Sequence, residues 1–279
     1  MKGRPQRLLC VLCASAAVLS SGCKRKHVAV DSVPELGFPA CGDAGLDEPG
    51  TVVGQGHLRA GPFSADQNVV ERFELRRTSC GYAFESRQEW PLAIADMVVR
   101  FDASLTPIWA WKRLTIAGSK REDGNADTRR YDLRTGDVFI KKRDADGVLT
   151  MEKLLPGGRM DVPAGAKVGA VVGPGRGVIT AWLQREKLPV GGKTKELVLD
   201  FRDMIESLEV GTLERNPDVD EPLLGKVRAY TFFGKETVFA DENDVVIGDL
   251  GGMRPNDSLK TPEPPALPTY GKPDPMHTP

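Results

Sequence analysis

The feature that most restricts the fold of this chain is an alternation of apolar and polar residues that begins near residue 69. In the segment Val69 to Trp90, Phe73 and Leu75 alternate with charged residues, and the alternation resumes at Tyr82 after the turn sequence Thr78-Ser79-Cys80-Gly81. A period of two places successive side chains on opposite faces of a strand, and one polar face is typical of an antiparallel sheet. The segment is therefore predicted to be a β-hairpin.

Similar segments follow along most of the chain and predict about ten strands in meander order. After the first hairpin, the predicted strands cover residues 97–101, 108–116, 131–133, 138–140, 148–154, 196–201, 205–213, 226–233, 236–240 and 245–250. Strands that follow one another with a single inserted helix favour a mainly β fold. The expected architecture is one large, curved antiparallel sheet that forms a half-barrel.

One stretch interrupts the strands. Residues 156–189 are rich in Pro and Gly, which are unfavourable in paired strands, and they include a predicted helix at Gly177 to Leu188. Val178 and Trp182 are four residues apart, so they lie on one apolar stripe of this helix. Because a single amphipathic helix must bury its stripe, we expect it to lie across the concave face of the sheet.

This layout of strands, a break, an amphipathic helix that ends in Leu188-Pro189-Val190-Gly191-Gly192-Lys193, and further strands resembles a group of uncharacterised periplasmic proteins. The sheets of those proteins are similar to the sheets of the lipoprotein carriers LolA and LolB. The resemblance covers about Val69 to Gly252. It implies a half-barrel that can hold an acyl chain or serve as a structural surface, and it assigns no role to any residue.

The N-terminal segment is typical of an export signal. Three basic residues among the first seven precede an apolar run from Leu8 to Leu19, and Ser20-Ser21-Gly22-Cys23 follows as a lipoprotein box. In that chemistry, residues 1–22 are removed and acyl chains on Cys23 hold the protein to a membrane. The alternative is a soluble secreted protein, cleaved after Ala16 or Ala17, in which Cys23 is an ordinary thiol.

The remaining chain divides into three predicted parts. Residues 23–50 form a lipid-anchored tether, because a basic cluster at Lys24 to His27 suits an anionic membrane surface and Pro and Gly follow it. Residues 51–252 form a single β-rich domain, and residues 253–279 form a Pro-rich disordered tail. The expected location is the bacterial cell envelope, at the outer membrane and facing the periplasm.

Composition excludes one class of partner and predicts one covalent bond. The chain has 38 basic and 39 acidic residues without a concentrated basic face, which argues against nucleic acid as a partner. If Cys23 is acylated and the signal is removed, Cys41 and Cys80 are the thiols that remain in an oxidising compartment. They are predicted to form a disulfide, which could stabilise the fold by roughly 3 to 4 kcal/mol.

The Gly-rich segment Gly173 to Gly177 is the best candidate for nucleotide binding, since it follows a strand-like run, Val168 to Val172, and opens the predicted helix. The third glycine of a dinucleotide fingerprint is replaced by Val178, so a flexible loop before a helix is favoured. Arg176 at the start of that helix could attract an anion.

Metal and histidine chemistry are weakly supported by the sequence. Three acidic segments, 123–127, 144–147 and 241–244, fit turns better than calcium loops, which need further ligands at fixed spacing. Of the three histidines, His27 lies in the tether and His277 in the tail, so only His57 lies in the β-rich domain. We therefore expect no catalytic residues, no metal site, no cofactor and no enzymatic activity.

Tryptophans are the remaining candidates for ligand binding. Trp109 and Trp111 are two residues apart and share a face of one predicted strand, and the helix stripe with Trp182 is expected to pack near them. These rings can fill the core between sheet and helix, or they can line an apolar cleft. Two functions remain open: binding or carrying a lipophilic envelope component, and a structural or assembly-partner lipoprotein without a ligand.

The lipid anchor leads to the first testable prediction. Replacement Cys23→Ala removes the thiol that accepts the acyl chains, so the variant should remain uncleaved or become soluble. Fractionation of cells that express the wild type or the variant measures this difference. A wild type as freely soluble as the variant contradicts the prediction.

Overall fold

The computed structural model describes residues 28–29, 50–61, 68–116, 127–134, 138–143, 149–153, 167–202 and 207–260. Over these residues the chain is mostly β-strand, with a curled half-barrel sheet and a single α-helix, which confirms the predicted fold class. Cys23, Cys41, His27, His277 and the acidic segments 123–126 and 144–147 lie outside the described residues. The lipid anchor, the tether and the disulfide therefore stay predictions.

The first sheet has ten strands, and all of its neighbouring pairs are antiparallel. Its order is β1-β9-β8-β7-β6-β5-β4-β3-β2-β17, so eight consecutive strands form a meander. The strands are β1 (Val28–Ala29), β2 (Thr51–Ala60), β3 (Val70–Thr78), β4 (Gly81–Trp90), β5 (Ala93–Phe101), β6 (Pro107–Ile116), β7 (Asp127–Asp132), β8 (Val138–Arg143), β9 (Leu149–Lys153) and β17 (Met253–Pro255).

The second sheet has seven strands and differs from the predicted single sheet. Its order is β10-β11-β12-β14-β15-β16, and β13 pairs with β14 beside this path. The strands are β10 (Val168–Val172), β11 (Lys193–Asp200), β12 (Ser207–Arg215), β13 (Val219–Glu221), β14 (Gly225–Phe232), β15 (Glu236–Ala240) and β16 (Val246–Asp249). The Pro- and Gly-rich stretch thus contains a strand, β10, which pairs in parallel with β11.

The helix α1 (Ile179–Glu186) lies in the connection between these two parallel strands. Parallel neighbours cannot be joined by a tight turn, so the chain must cross over, and a helix is the usual crossover. The helix ends at Lys187, which adopts a left-handed conformation and donates its backbone N–H to Leu183 O at 3.0 Å. In the part of the chain that the structure describes, no helix has the length and apolarity to cross a membrane.

Both sheets and the helix share one hydrophobic core. Phe73, Leu75 and Phe84 contribute from the first sheet, and Leu213 and Phe232 contribute from the second. On β3 the opposite face carries the charged residues Arg72, Glu74 and Arg76, as the alternation predicts. The predicted helix stripe is buried here, because Val178 is 1 % exposed and Trp182 is 2 % exposed.

The described strands extend beyond the predicted strands at both ends of the β-rich domain. The strand β2 was not predicted, because Gly54 and Gly56 interrupt its apolar pattern. At the other end, β17 pairs with β2 and a short 3-10 turn (Asn256–Ser258) follows, so residues 253–260 are not the disordered tail that the sequence predicted. Residues 261–279 lie outside the described residues.

The buried position of Trp182 leads to a stability prediction. Replacement Trp182→Ala leaves a cavity in the shared core and should lower the free energy of unfolding by about 3 to 5 kcal/mol. Its indole Nε1 is buried without a hydrogen-bond partner among the described residues, so Trp182→Phe loses no hydrogen bond and should cost clearly less. Urea denaturation of both variants measures the difference, and equal losses would contradict the packing described here.

Candidate functional site

The Gly-rich loop that precedes the helix binds a carboxylate of the chain itself. Glu71 on β3 is fully buried and accepts hydrogen bonds from the backbone N–H groups of Arg176 and Gly177, both at 2.7 Å. A Cβ atom at Gly175 would overlap this carboxylate, and one at Gly177 would overlap the Phe73 ring, so glycine is required for this close approach. The loop therefore packs tightly against the first sheet and does not present these N–H groups to a nucleotide.

The side chain of Arg176 extends this contact to the second sheet. Its Nε lies 3.0 Å from Asp249 Oδ2 on β16, and its Nη2 lies 2.8 Å from Glu236 Oε2 on β15. The expected attraction of an anion to this loop is thus satisfied within the chain, by Glu71 at the backbone and by these carboxylates at the side chain. One loop connects both sheets and the helix.

Burial raises the pKa of Glu71 above its ordinary value of 4.5, because a carboxylate without water is poorly stabilised. The two backbone N–H groups and the positive charge of Arg176 oppose this increase in pKa, and the nearby Asp249 adds to it. Burial is the largest of these effects. The folded protein therefore binds a proton at this position more readily than the unfolded chain does.

The predicted grouping of the three tryptophans is wrong. Trp109 and Trp111 do share one face of β6, but they form a separate cluster with Ile108. Ala110, which lies between them in the sequence, belongs to the shared core, and so does Trp182. A period of two predicts which residues share a face, but it does not predict which face meets the helix. Trp109 and Trp111 thus lie on the side of the sheet away from α1.

Arginine side chains cover this second tryptophan cluster. The guanidinium carbon of Arg100 lies 5.5 Å from the ring centre of Trp109, and that of Arg113 lies 5.9 Å from that of Trp111. Arg113 also donates to Asp96 Oδ2 at 2.6 Å. These cation–π contacts and ion pairs bury the rings, with Trp109 2 % exposed and Trp111 7 % exposed. None of the three predicted tryptophans lines an open site.

The acidic segment 241–244 forms the turn between β15 and β16, as predicted. Asp241 Oδ1 accepts from the backbone N–H groups of Asn243 at 2.9 Å and Val245 at 2.8 Å, which is the pattern of an Asx turn. Across the described part of the chain, no group of three or more His, Cys, Asp or Glu side chains is placed to bind a metal ion. His57 lies on β2, and Cys80 lies in the turn between β3 and β4.

Within the described part of the chain, the candidate for a binding site is a cleft beside the C-terminal end of the helix. Its volume is about 860 Å³, and it lies between residues of the first sheet, the segment after α1, and the β15–β16 turn. Its apolar lining comes from both sheets and the helix end, and consists of Val53, Leu105, Leu188, Pro189, Val190 and Val245. Val190 is 60 % exposed, so the apolar surface is open to solvent.

One wall of the cleft is a fixed polar network around Asp244. Asp244 Oδ1 accepts from Tyr230 Oη at 2.6 Å and from Arg228 Nη1 at 2.7 Å. Burial and the hydrogen bond to Asp244 raise the pKa of Tyr230 to about 12, so its hydroxyl stays a donor at neutral pH. Arg215 lies over the Tyr230 ring at 5.0 Å and pairs with Asp218. These contacts hold the wall in one arrangement.

Sequence reasoning did not find this cleft. Lys187 to Val190 was interpreted only as the end of a helix, and the Asp241 to Asp244 segment only as a turn. The sequence contained one weak indication of a cleft. Val190 is an apolar residue between Pro189 and Gly191 in the loop after the helix, where polar residues are more usual. Arg215 and Arg228 lie on separate strands and carry no motif.

The raised pKa of Glu71 predicts a pH dependence that Glu71→Gln removes. The difference in the free energy of unfolding between the wild type and this variant is largest below pH 4.5. It decreases as the pH rises through the folded-state pKa, because ionisation of Glu71 then costs more free energy in the folded protein than in the unfolded chain. Glu71→Ala removes both acceptors and should cost roughly 2 to 6 kcal/mol at about pH 4, with a smaller cost at higher pH because alanine does not ionise. Urea unfolding between about pH 4 and pH 8 tests both, and a constant difference between wild type and Glu71→Gln would contradict the prediction.

A scan of the sequence against models of protein families found no match, and a search of curated proteins found none either. Among solved structures, a DUF1089 family protein from Pseudomonas aeruginosa is similar with a TM-score of 0.41 and 15 % identity, over 70 % of this chain and 96 % of that chain. A β-barrel-like protein of the domain of unknown function DUF1849 from Brucella abortus is similar with a TM-score of 0.33 and 10 % identity, over 74 % of this chain and 81 % of that chain.

Proposed function

We propose that this chain is a non-enzymatic lipoprotein of the bacterial cell envelope that binds a lipophilic envelope component in the cleft beside α1. In this proposal, acylated Cys23 anchors the chain to the outer membrane and the folded part faces the periplasm. The observation that carries the proposal is the apolar lining of the cleft, including the 60 % exposed Val190. Its volume of about 860 Å³ is within the range typical of small-molecule sites, about 300 to 1,000 Å³.

The proposed position of the ligand differs from the position that the resemblance to LolA and LolB implied. A carrier of that kind holds an acyl chain against the concave face of its sheet. In this chain Val178 and Trp182 are packed into the core that the helix shares with both sheets. We therefore place the ligand beside the end of the helix, where the surface is open, and not beneath it.

An assembly-partner lipoprotein without a small ligand is the second candidate, and the edge of β12 favours it. Only Leu213 to Arg215 of this strand pair with β14, so the first half of β12 has β11 as its one strand neighbour among the described residues. Val210 in that half is 57 % exposed. An unpaired edge with an exposed apolar side chain can accept a strand of another protein.

Lipid that copurifies with the full-length protein tests the proposed function. Val190→Asp places a charge in the apolar part of the cleft and should reduce the copurified lipid at least severalfold. Val210→Asp is the matched control, because it is a similarly exposed valine outside the cleft lining, and it should retain the wild-type amount. All three proteins are purified in the same detergent and extracted for mass spectrometry.

Absence of lipid from the wild type, or equal amounts in both variants, would contradict binding in the cleft. Loss of a copurified protein from Val210→Asp alone would favour the assembly function instead.

A further inference from the structure

The charged residues around the cleft indicate the chemical class of its ligand. We propose that the cleft binds an amphiphile with a negatively charged head group, with Lys187 and Arg228 at the head group and the apolar lining along the chain. This inference rests on the proposed function, since it specifies the ligand of the same cleft.

Three cationic side chains line the cleft, and they differ in how fully they are already paired. Arg215 is 5 % exposed and its guanidinium donates to Asn216 O and Asp218. Arg228 uses Nη1 for Asp244 at 2.7 Å, and its Nε and Nη2 make no hydrogen bond among the described residues. Lys187 is exposed and has no ion pair within the same part of the chain. Lys187 and Arg228 therefore have donors available for a ligand.

The two carboxylates that line the cleft, Glu242 and Asp244, differ in how strongly they repel an anionic ligand. Asp244 is 6 % exposed, and its Oδ1 accepts from Tyr230 Oη and from Arg228 Nη1. A carboxylate that is buried and neutralised in this way repels an incoming anion weakly. Glu242 is exposed on the turn and is the carboxylate that opposes binding. Asp244 and Arg228 neutralise each other, so Lys187 and Glu242 are the unpaired charges among the described lining residues, and the remaining N–H groups of Arg228 add hydrogen-bond donors for a head group.

Lys187 has an alternative role, because it directly follows the helix. A cation at a helix C-terminus is favourable for the helix itself, since the last carbonyl groups carry a partial negative charge. That role requires only the positive charge near the helix end and no ligand. The two roles differ in their measurable effects: the helix role changes stability, and the ligand role changes affinity for anionic amphiphiles only.

The test uses the full-length protein in a neutral detergent and three photoactivatable probes that share one sixteen-carbon chain. The probes are a fatty acid, a lysophosphatidic acid and an uncharged monoacylglycerol. Intact-mass spectrometry gives the half-saturation concentration of labelling, and peptide mapping shows whether labels fall on residues 187–190 and 242–245. The two anionic probes distinguish a carboxylate from a phosphate head group.

Lys187→Gln should raise the half-saturation concentration of both anionic probes about fivefold and leave the monoacylglycerol unchanged. Glu242→Gln should lower it for the anionic probes about twofold, because it removes the opposing charge. Lys187→Arg should retain wild-type labelling, which separates loss of the charge from damage to the helix end. Lys195→Gln is the control, because Lys195 is an exposed lysine that does not line the cleft.

Equal labelling of the wild type and Lys187→Gln by every probe would overturn the anionic preference and leave the lipid-binding function intact. A change in the urea midpoint of Lys187→Gln without a change in labelling would assign Lys187 to the helix alone, which also overturns the inference. Labelling outside the cleft peptides by all three probes would overturn both the inference and the proposed function.

Discussion

The arrangement of the whole structure depends on one buried carboxylate. Glu71 accepts hydrogen bonds from two backbone N–H groups of the loop before α1. In the same loop, the side chain of Arg176 forms ion pairs with Asp249 and Glu236 on the second sheet. Loss of either hydrogen-bond donor would leave the buried carboxylate partly unpaired. Because an unpaired buried charge costs several kcal/mol, the folded state is favoured only when both donors stay in place. The first sheet, the helix and the second sheet are thereby held in one relative position.

This position accounts for where the cleft forms. The loop at the start of α1 is tied to both sheets, so the helix is fixed at its N-terminal end and buried along its stripe. At its C-terminal end the chain leaves through Lys187 in a left-handed conformation, and Val53 and Val245 line the cleft beside it. A short helix of eight residues covers only part of the space between two sheets.

The mainly β fold could be predicted from the sequence because the patterns that indicate strands, turns and the helix each lie within a short segment of the chain. The turn at Thr78 to Gly81 and the alternation around Phe73 lie within one hairpin, and the helix stripe lies within three turns. The pairing of β10 with β11 depends on strands that the helix separates, so no local pattern predicted a second sheet. The cleft was not predictable either, because Val53, Arg228 and Val190 come together only after both sheets have formed. The period of two does place Glu71 on the same face as Phe73 and Leu75, but its two N–H donors come from a loop about a hundred residues further along the chain, which no local pattern predicts.

The strand β17 pairs with β2, about two hundred residues earlier in the chain, since Arg254 lies opposite Arg59 and Gly61 N–H donates to Gly252 O at 2.9 Å. The outer edge of β2 therefore stays without this partner until almost the entire chain has left the ribosome. Because β2 and β17 are neighbours, the fold is suited to circular permutation of residues 51–260, with new termini opened at an exposed turn.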